Sequence, residues 1–134
     1  MITITGSESF IGSCLASVLD ARGEAWTGID TMVRNKRTQR ADIRDSAVSD
    51  LMAEGGTLIH LAAISRDGDC RQNPREAFDV NVGGTLNLVD AARRRGVRRF
   101  LFASSEWVYG EVANSEVQRE DAPLDATRLV SEYA

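Results

Sequence analysis

A chain of 134 residues with a formal charge of −4 fits one domain with a real core and excludes a second, and its acidic balance argues against a nucleic-acid binder, which needs a basic surface. One histidine, His60, and two cysteines without CxxC spacing, Cys14 and Cys70, argue against a metal cluster and fit structural thiols in a reducing compartment. No leader and no apolar run near the ~18 residues of a membrane span is visible, so a soluble cytoplasmic protein is expected.

The first fifteen residues read as strand, turn and helix. Ile2 and Ile4 begin an apolar run that stops at Gly6; from Ile11 the apolar residues recur at 11, 14, 15, 18 and 19, predicting a helix that buries that face, Cys14 included. A phosphate belongs at such a junction, where the first helical turn has unpaired N–H groups and the positive dipole end. Gly6 supplies a tight turn, and Gly12 a helix face able to lie close to the sheet. A dinucleotide fingerprint would place its third glycine at Ser9, which can cap the helix and reach a phosphate but whose Cβ disfavours positive φ. Two glycines alone are equally compatible with a plain turn.

Gly23 is a stop for this helix. Residues 24–30 form a second predicted strand ending in Asp30, eighteen residues beyond Gly12, where a nucleotide-binding βαβ unit places a carboxylate for the ribose hydroxyls; the alternative is an ordinary loop aspartate. A carboxylate there repels a 2′-phosphate and favours NAD, while Arg34, Lys36 and Arg37 keep NADP as the lesser option. Thr31 to Arg40 reads as a loop, followed by a short helix through about Met52. Thr57–Leu61 is a third strand, and Ala62-Ala63 after it would admit a flat ligand or simply make a tight exit.

Asn73-Pro74 opens the longest helix with an N-cap and a proline at the first position. Phe78, Val82, Leu86 and Val89 share one of its faces, and Asn81 either points to solvent or holds a neighbouring loop. Arg93–Arg95 complement the dipole at its end. Residues 99–103 form a fourth, apolar strand of the kind buried on both faces, with Ser104–Gly110 at its carboxyl end, where reacting groups gather in open parallel sheets. An irregular loop runs to Leu124, and Asp125 caps a final predicted helix.

This alternation predicts a parallel α/β sheet. Thr5-Gly6-x-x-Ser9-Phe10-Ile11-Gly12, Asp30, Asp42-Ile43-Arg44-Asp45, His60-Leu61-Ala62-Ala63, Asn73-Pro74, Val80-Asn81-Val82-x-Gly84-Thr85-x-Asn87-Leu88 and Ser104-Ser105-x-x-Val108-Tyr109-Gly110 together resemble the extended short-chain dehydrogenases/reductases, the NAD-dependent epimerase/dehydratase family acting on nucleotide sugars. The resemblance implies a Rossmann-like parallel sheet with helices on both faces, truncated after about four strands, with residues 1–134 as the NAD(P)-binding domain and the substrate-binding domain absent. It implies that Gly6, Ser9, Phe10, Ile11 and Gly12 line the pyrophosphate, Asp30 holds the ribose, Asp42 and Ile43 edge the adenine, Leu61, Ala62 and Ala63 pass beside the cofactor, and Asn81 steadies the loops. Ser105 matches the catalytic hydroxyl and, with Glu106, the substrate site.

Tyr133 is the candidate for the base of the family's Tyr-x-x-x-Lys motif. The lysine is needed to favour the phenolate, and it would lie past Ala134, so the resemblance implies a truncated chain inactive on its own. Family dehydratases carry two acids after the catalytic hydroxyl; here Glu106 and Trp107 stand there, which fits epimerase, reductase or decarboxylase relatives better and leaves Trp107 to packing. With the family's strand order 3-2-1-4, the fourth strand becomes an edge that exposes Phe100, Leu101 and Phe102 and predicts a homo-oligomer. The competing reading is a non-catalytic dinucleotide-binding or interaction module, which needs Asp30 but neither Ser105 nor Tyr133.

Overall fold

The computed structural model describes residues 1–110, 117, 119–124 and 126–134. Five parallel strands, β1 (Ile2–Thr5), β2 (Trp26–Asp30), β3 (Thr38–Arg40), β4 (Thr57–His60) and β5 (Arg99–Phe102), lie in the order β3-β2-β1-β4-β5. The segment read as a loop through Arg40 therefore ends in a strand, three residues long, with only Thr38 buried. Its polar sequence hides it, because an edge strand needs no apolar alternation. The strand read as third consequently pairs with β1 itself, through Ile2↔Thr57 to Thr5↔His60.

Helices cover both faces. Helix α1 (Phe10–Ala21) packs Ala16 and Leu19 on Ile4 and Trp26. The other core joins Ile29, Leu58, Ile43, Val48 and Met52 to Leu88, Ala91 and Ala92 of α4 (Thr85–Arg94). Before α4 come α2 (Asp67–Gln72), α3 (Pro74–Phe78) and a π-helical stretch, Asp79–Gly84, that runs on into α4. The predicted long helix is thus real, begun by Asn73, whose side chain accepts the Glu76 N–H, but its middle is π-helical.

Burial departs from expectation in α1 and at Phe100. In α1 the small residues Gly12 and Ala16, with Leu19, face the sheet, whereas Ile11, Val18 and Cys14 are exposed. Close packing selected small side chains, so the apolar pattern marked the wrong face. The Phe78, Val82, Leu86, Val89 face is open, and β5, at the edge of the sheet as expected, leaves Leu101 and Phe102 more than half exposed, whereas Phe100, also expected to be exposed, packs against the core. Near the chain end the predicted helix is reduced to a 3₁₀ turn, Ala126–Arg128; its expected cap, Asp125, lies outside the described residues. Among the described residues no helix is long and apolar enough to cross a membrane.

Candidate functional site

Because every strand runs the same way, the carboxyl ends of β1, β2 and β4 meet at one edge, and the segments leaving them build two adjoining clefts. Gly6 turns at φ +70, and a Cβ there would come 2.7 Å from the Ala62 amide nitrogen. At Gly12 a Cβ would come 2.2 Å from the Gly6 carbonyl oxygen. Both glycines are therefore required by backbone packed against backbone. Ser9 adopts φ −68 and ψ 169, and its Oγ accepts the Gly12 N–H at 3.1 Å. The expected conflict between its Cβ and a positive φ does not arise. The Phe10 and Ile11 amides find no acceptor among the described residues, so the start of a twelve-residue helix presents two donors outward.

The opposite wall is acidic. Asp30 accepts the Glu8 N–H at 2.9 Å with one carboxylate oxygen and the Met32 N–H at 3.0 Å with the other. Asp42 holds Arg44 through Oδ2 at 2.6 Å and Oδ1 at 3.0 Å, and the same guanidinium reaches Glu76 at 2.9 Å. The Arg44 hydrogen bonds keep the Asp42 carboxyl below its ordinary range. Gly6, Ser9, Asp30, Asp42, Ile43, Leu61, Ala62 and Ala63 all line this first cleft.

The second cleft shares Ser9, Leu61, Ala62 and Ala63 with the first and adds Phe10, Ile11, Asn81, Ser105 and Tyr133. Ser105 Oγ caps the short turn Glu106–Tyr109 by accepting the Trp107 N–H at 3.3 Å. Tyr133 is half-buried; burial, then the Cys70 thiol and the Glu106 carboxylate, push its phenol above the ordinary value and keep it protonated. Gly12 and Glu106 line neither cleft. Trp107, expected to pack, is 42% exposed, since its four-residue turn leaves β5 on the open edge of the sheet.

Between the clefts stands a directional hydrogen-bond chain. Thr85 Oγ donates to the Asn81 carbonyl at 2.5 Å and so accepts from His60 Nε2 at 2.9 Å. His60 Nδ1 is then the acceptor for Thr5 Oγ at 2.7 Å, and Thr5 Oγ receives the Ala62 N–H at 3.4 Å. The geometry selects the neutral tautomer protonated at Nε2. Burial lowers the His60 pKa to about 4. Asn81 completes the frame: its side chain accepts the Ile64 N–H at 2.8 Å and donates to the Ile64 carbonyl at 2.9 Å. Of its two readings, the one that holds a loop is correct.

The family model described as "NAD dependent epimerase/dehydratase family" matches residues 2–134. The chain belongs to this family. It is 32% identical to a UDP-glucose 4-epimerase of Corynebacterium glutamicum over 99% of this chain and 45% of that protein. It is 31% identical to a UDP-glucose 4-epimerase of Klebsiella pneumoniae over 82% of this chain and 92% of that one. Among solved structures, MoeE5 in complex with UDP-glucuronic acid and NAD superposes with a TM-score of 0.88 at 29% identity, covering 98% of this chain and 44% of that chain. The UDP-glucose 4-epimerase of Thermus thermophilus in complex with NAD gives 0.84 at 31% identity, with 98% and 45% covered. The chain thus spans a little under half the length of most of these relatives.

Two residues at the site escaped the sequence reading. Glu8 sits in the glycine turn, where only glycine spacing was being read, and lines the first cleft. His60 was weighed as a metal ligand and quoted in the His60-Leu61-Ala62-Ala63 motif but given no role of its own; among the described residues no group of three or more metal-binding side chains exists. Its position one residue before Leu61-Ala62-Ala63, at the end of a buried strand, was the available signal.

Proposed function

We propose that residues 1–134 form the NAD(P)-binding domain of a nucleotide-sugar oxidoreductase of the epimerase/dehydratase type, with NAD as the cofactor. The observation that carries this reading is the pairing of two outward amides, Phe10 and Ile11, with the amide-anchored Asp30. Unpaired donors at a helix start suit a pyrophosphate, and a fixed carboxylate suits a diol while opposing a 2′-phosphate. The open carboxyl-end clefts, joined along Leu61–Ala63, offer room for an extended dinucleotide. Bound NAD would supply the hydride acceptor for a sugar carbon.

Ser105 is the group to hydrogen-bond the substrate hydroxyl, and Tyr133 the group to take its proton. With burial, a thiol and a carboxylate acting on it, the Tyr133 phenol is a poor base at neutral pH, and turnover requires a cation beside it. That observation favours the second reading, a dinucleotide-binding module without turnover, for the chain by itself. Epimerisation, reduction or decarboxylation is favoured over dehydration, because Glu106 is followed by Trp107.

Self-association is also proposed. Phe78, Leu86, Leu101 and Phe102 are each more than half exposed, and a second copy covering them would remove apolar surface from water. The two unpaired thiols support placement in a reducing compartment such as the cytoplasm.

Calorimetric titration with NAD tests the central claim. Binding that weakens at least tenfold in Asp30→Ala supports it, and absence of NAD binding at millimolar concentration overturns it. Light scattering tests association: a clean monomer at high concentration overturns it.

A further inference from the structure

The turn between β1 and α1 is strapped to the β2–β3 connection by side chains of its own. Ser7 Oγ lies 3.1 Å from Thr38 Oγ, both buried, and Glu8 Oε1 accepts the Asn35 N–H at 3.0 Å. Glu8 also gives its own N–H to Asp30. One residue thus positions the Asp30 carboxylate with its backbone and sets a second carboxylate in the same cleft with its side chain. Burial raises the Glu8 pKa, but the Thr38 hydroxyl, the Asn35 and Arg34 amides and the Arg34 charge outweigh it, and the carboxyl lies below its ordinary range. It is a full charge at neutral pH.

Three nearby arginines are otherwise engaged, while Lys36 and Arg40 make no ion pair among the described residues. Arg34 faces Glu8. Arg37 lies 3.5 Å from Asp20 and stacks over the Trp26 ring. Arg44 is divided between Asp42 and Glu76. A 2′-phosphate entering beside Asp30 would therefore meet two carboxylates and no uncommitted partner among these three arginines.

We propose that Glu8 is a second specificity residue of the ribose pocket, which rejects 2′-phosphorylated dinucleotides by its charge and by binding the Arg34–Asn35 segment that would otherwise be free to receive the phosphate. The inference rests on the reading that the first cleft takes the adenosine ribose. Glutamine at this position keeps an oxygen for the Asn35 amide and removes only the charge; alanine removes both.

The experiment is calorimetric titration of the wild type, Glu8→Gln and Glu8→Ala with NAD and with NADP at low salt, thermal melts confirming that each variant is folded. The ratio of NADP to NAD dissociation constants falls about tenfold in Glu8→Gln and at least as far in Glu8→Ala. The wild-type ratio also falls as salt is raised, because screening weakens the repulsion. A ratio unchanged in Glu8→Gln and independent of salt overturns the proposal and leaves Glu8 a structural strap. Wild-type protein that binds neither nucleotide overturns instead the reading beneath it, and the proposal falls with that reading.

Discussion

Thr5 Oγ lies 2.7 Å from His60 Nδ1 across the register pair that ends β1 and β4. The hydroxyl can donate there only while the imidazole is neutral, and burial holds the ring in that state with a pKa of about 4. The unfolded chain has an ordinary histidine near 6.5 and so binds the extra proton first as pH falls. His60 therefore costs no stability above pH 6.5; about 3 kcal/mol is lost progressively between pH 6.5 and 4, with no further loss below. Urea unfolding across this window checks it, and His60→Gln removes this component of the slope. As the sole histidine, its ring also gives one NMR titration curve; a midpoint near 6.5 in the folded protein overturns the assignment.

At Ser9 the backbone needs no glycine, and the hydroxyl takes one of the orphan amides of α1. Ser9→Ala is expected to lose about 1 kcal/mol through the missing cap, and Ser9→Gly only a few tenths. NAD affinity in Ser9→Gly should be unchanged or weaker. Tighter binding would reveal strain that the observed φ does not contain.

Gly12→Ala and Gly83→Ala form a matched pair on two helices. The first drives a methyl into the Gly6 carbonyl and the Ser7 backbone, whereas a Cβ at Gly83 meets nothing within 4 Å. The expected outcomes are a loss of about 3 kcal/mol at Gly12 and a gain of about 0.5–1 kcal/mol at Gly83, read from denaturant midpoints.

Asn81→Leu removes both bonds to Ile64, leaving the Ile64 N–H without its acceptor and the Ile64 carbonyl with only the Cys70 thiol as donor, in a half-buried place. A loss of about 2 kcal/mol is expected. Hydrogen exchange is the sharper measurement: the Ile64 amide should lose protection while Leu58 in β4 retains it. Equal loss at both positions would mean global weakening rather than release of one loop.

The alternation of strands and helices was legible because buried parallel strands and capped helices carry local signals: Ile2 and Ile4, the Gly6 turn, Asn73-Pro74. The residues gathered at the clefts were legible because they lie just after strands. What stayed hidden has a common cause. β3 is a polar edge strand, so no period marks it. Apart from Leu19 and Leu88, the buried faces of α1 and of the 74–94 helix are made of small residues, Gly12, Ala16, Ala77, Gly84, Ala91 and Ala92, chosen for close approach, while Ile11, Val18, Phe78 and Leu86 point outward. Hydrophobic periodicity finds large side chains, and here they trace the surface that is open in this chain. Glu8 was invisible for another reason: its role depends on Asn35 and Thr38, which only the fold brings near.

The pairing scheme also bears on how the sheet assembles. Among the described residues no strand is hydrogen-bonded to a neighbour through a hairpin; Ile2 pairs with Trp26 on one side and with Thr57 on the other. The β1–β2, β1–β4 and β4–β5 ladders must each wait for a long segment to close, which makes folding slow for a domain this size. β1 needs the segment from Ala53 to Ala62, β4 included, before its Thr3 and Thr5 hydroxyls find partners. Until then an apolar first strand and the β5 edge are both open to other chains, so the yield of refolding should fall as protein concentration rises.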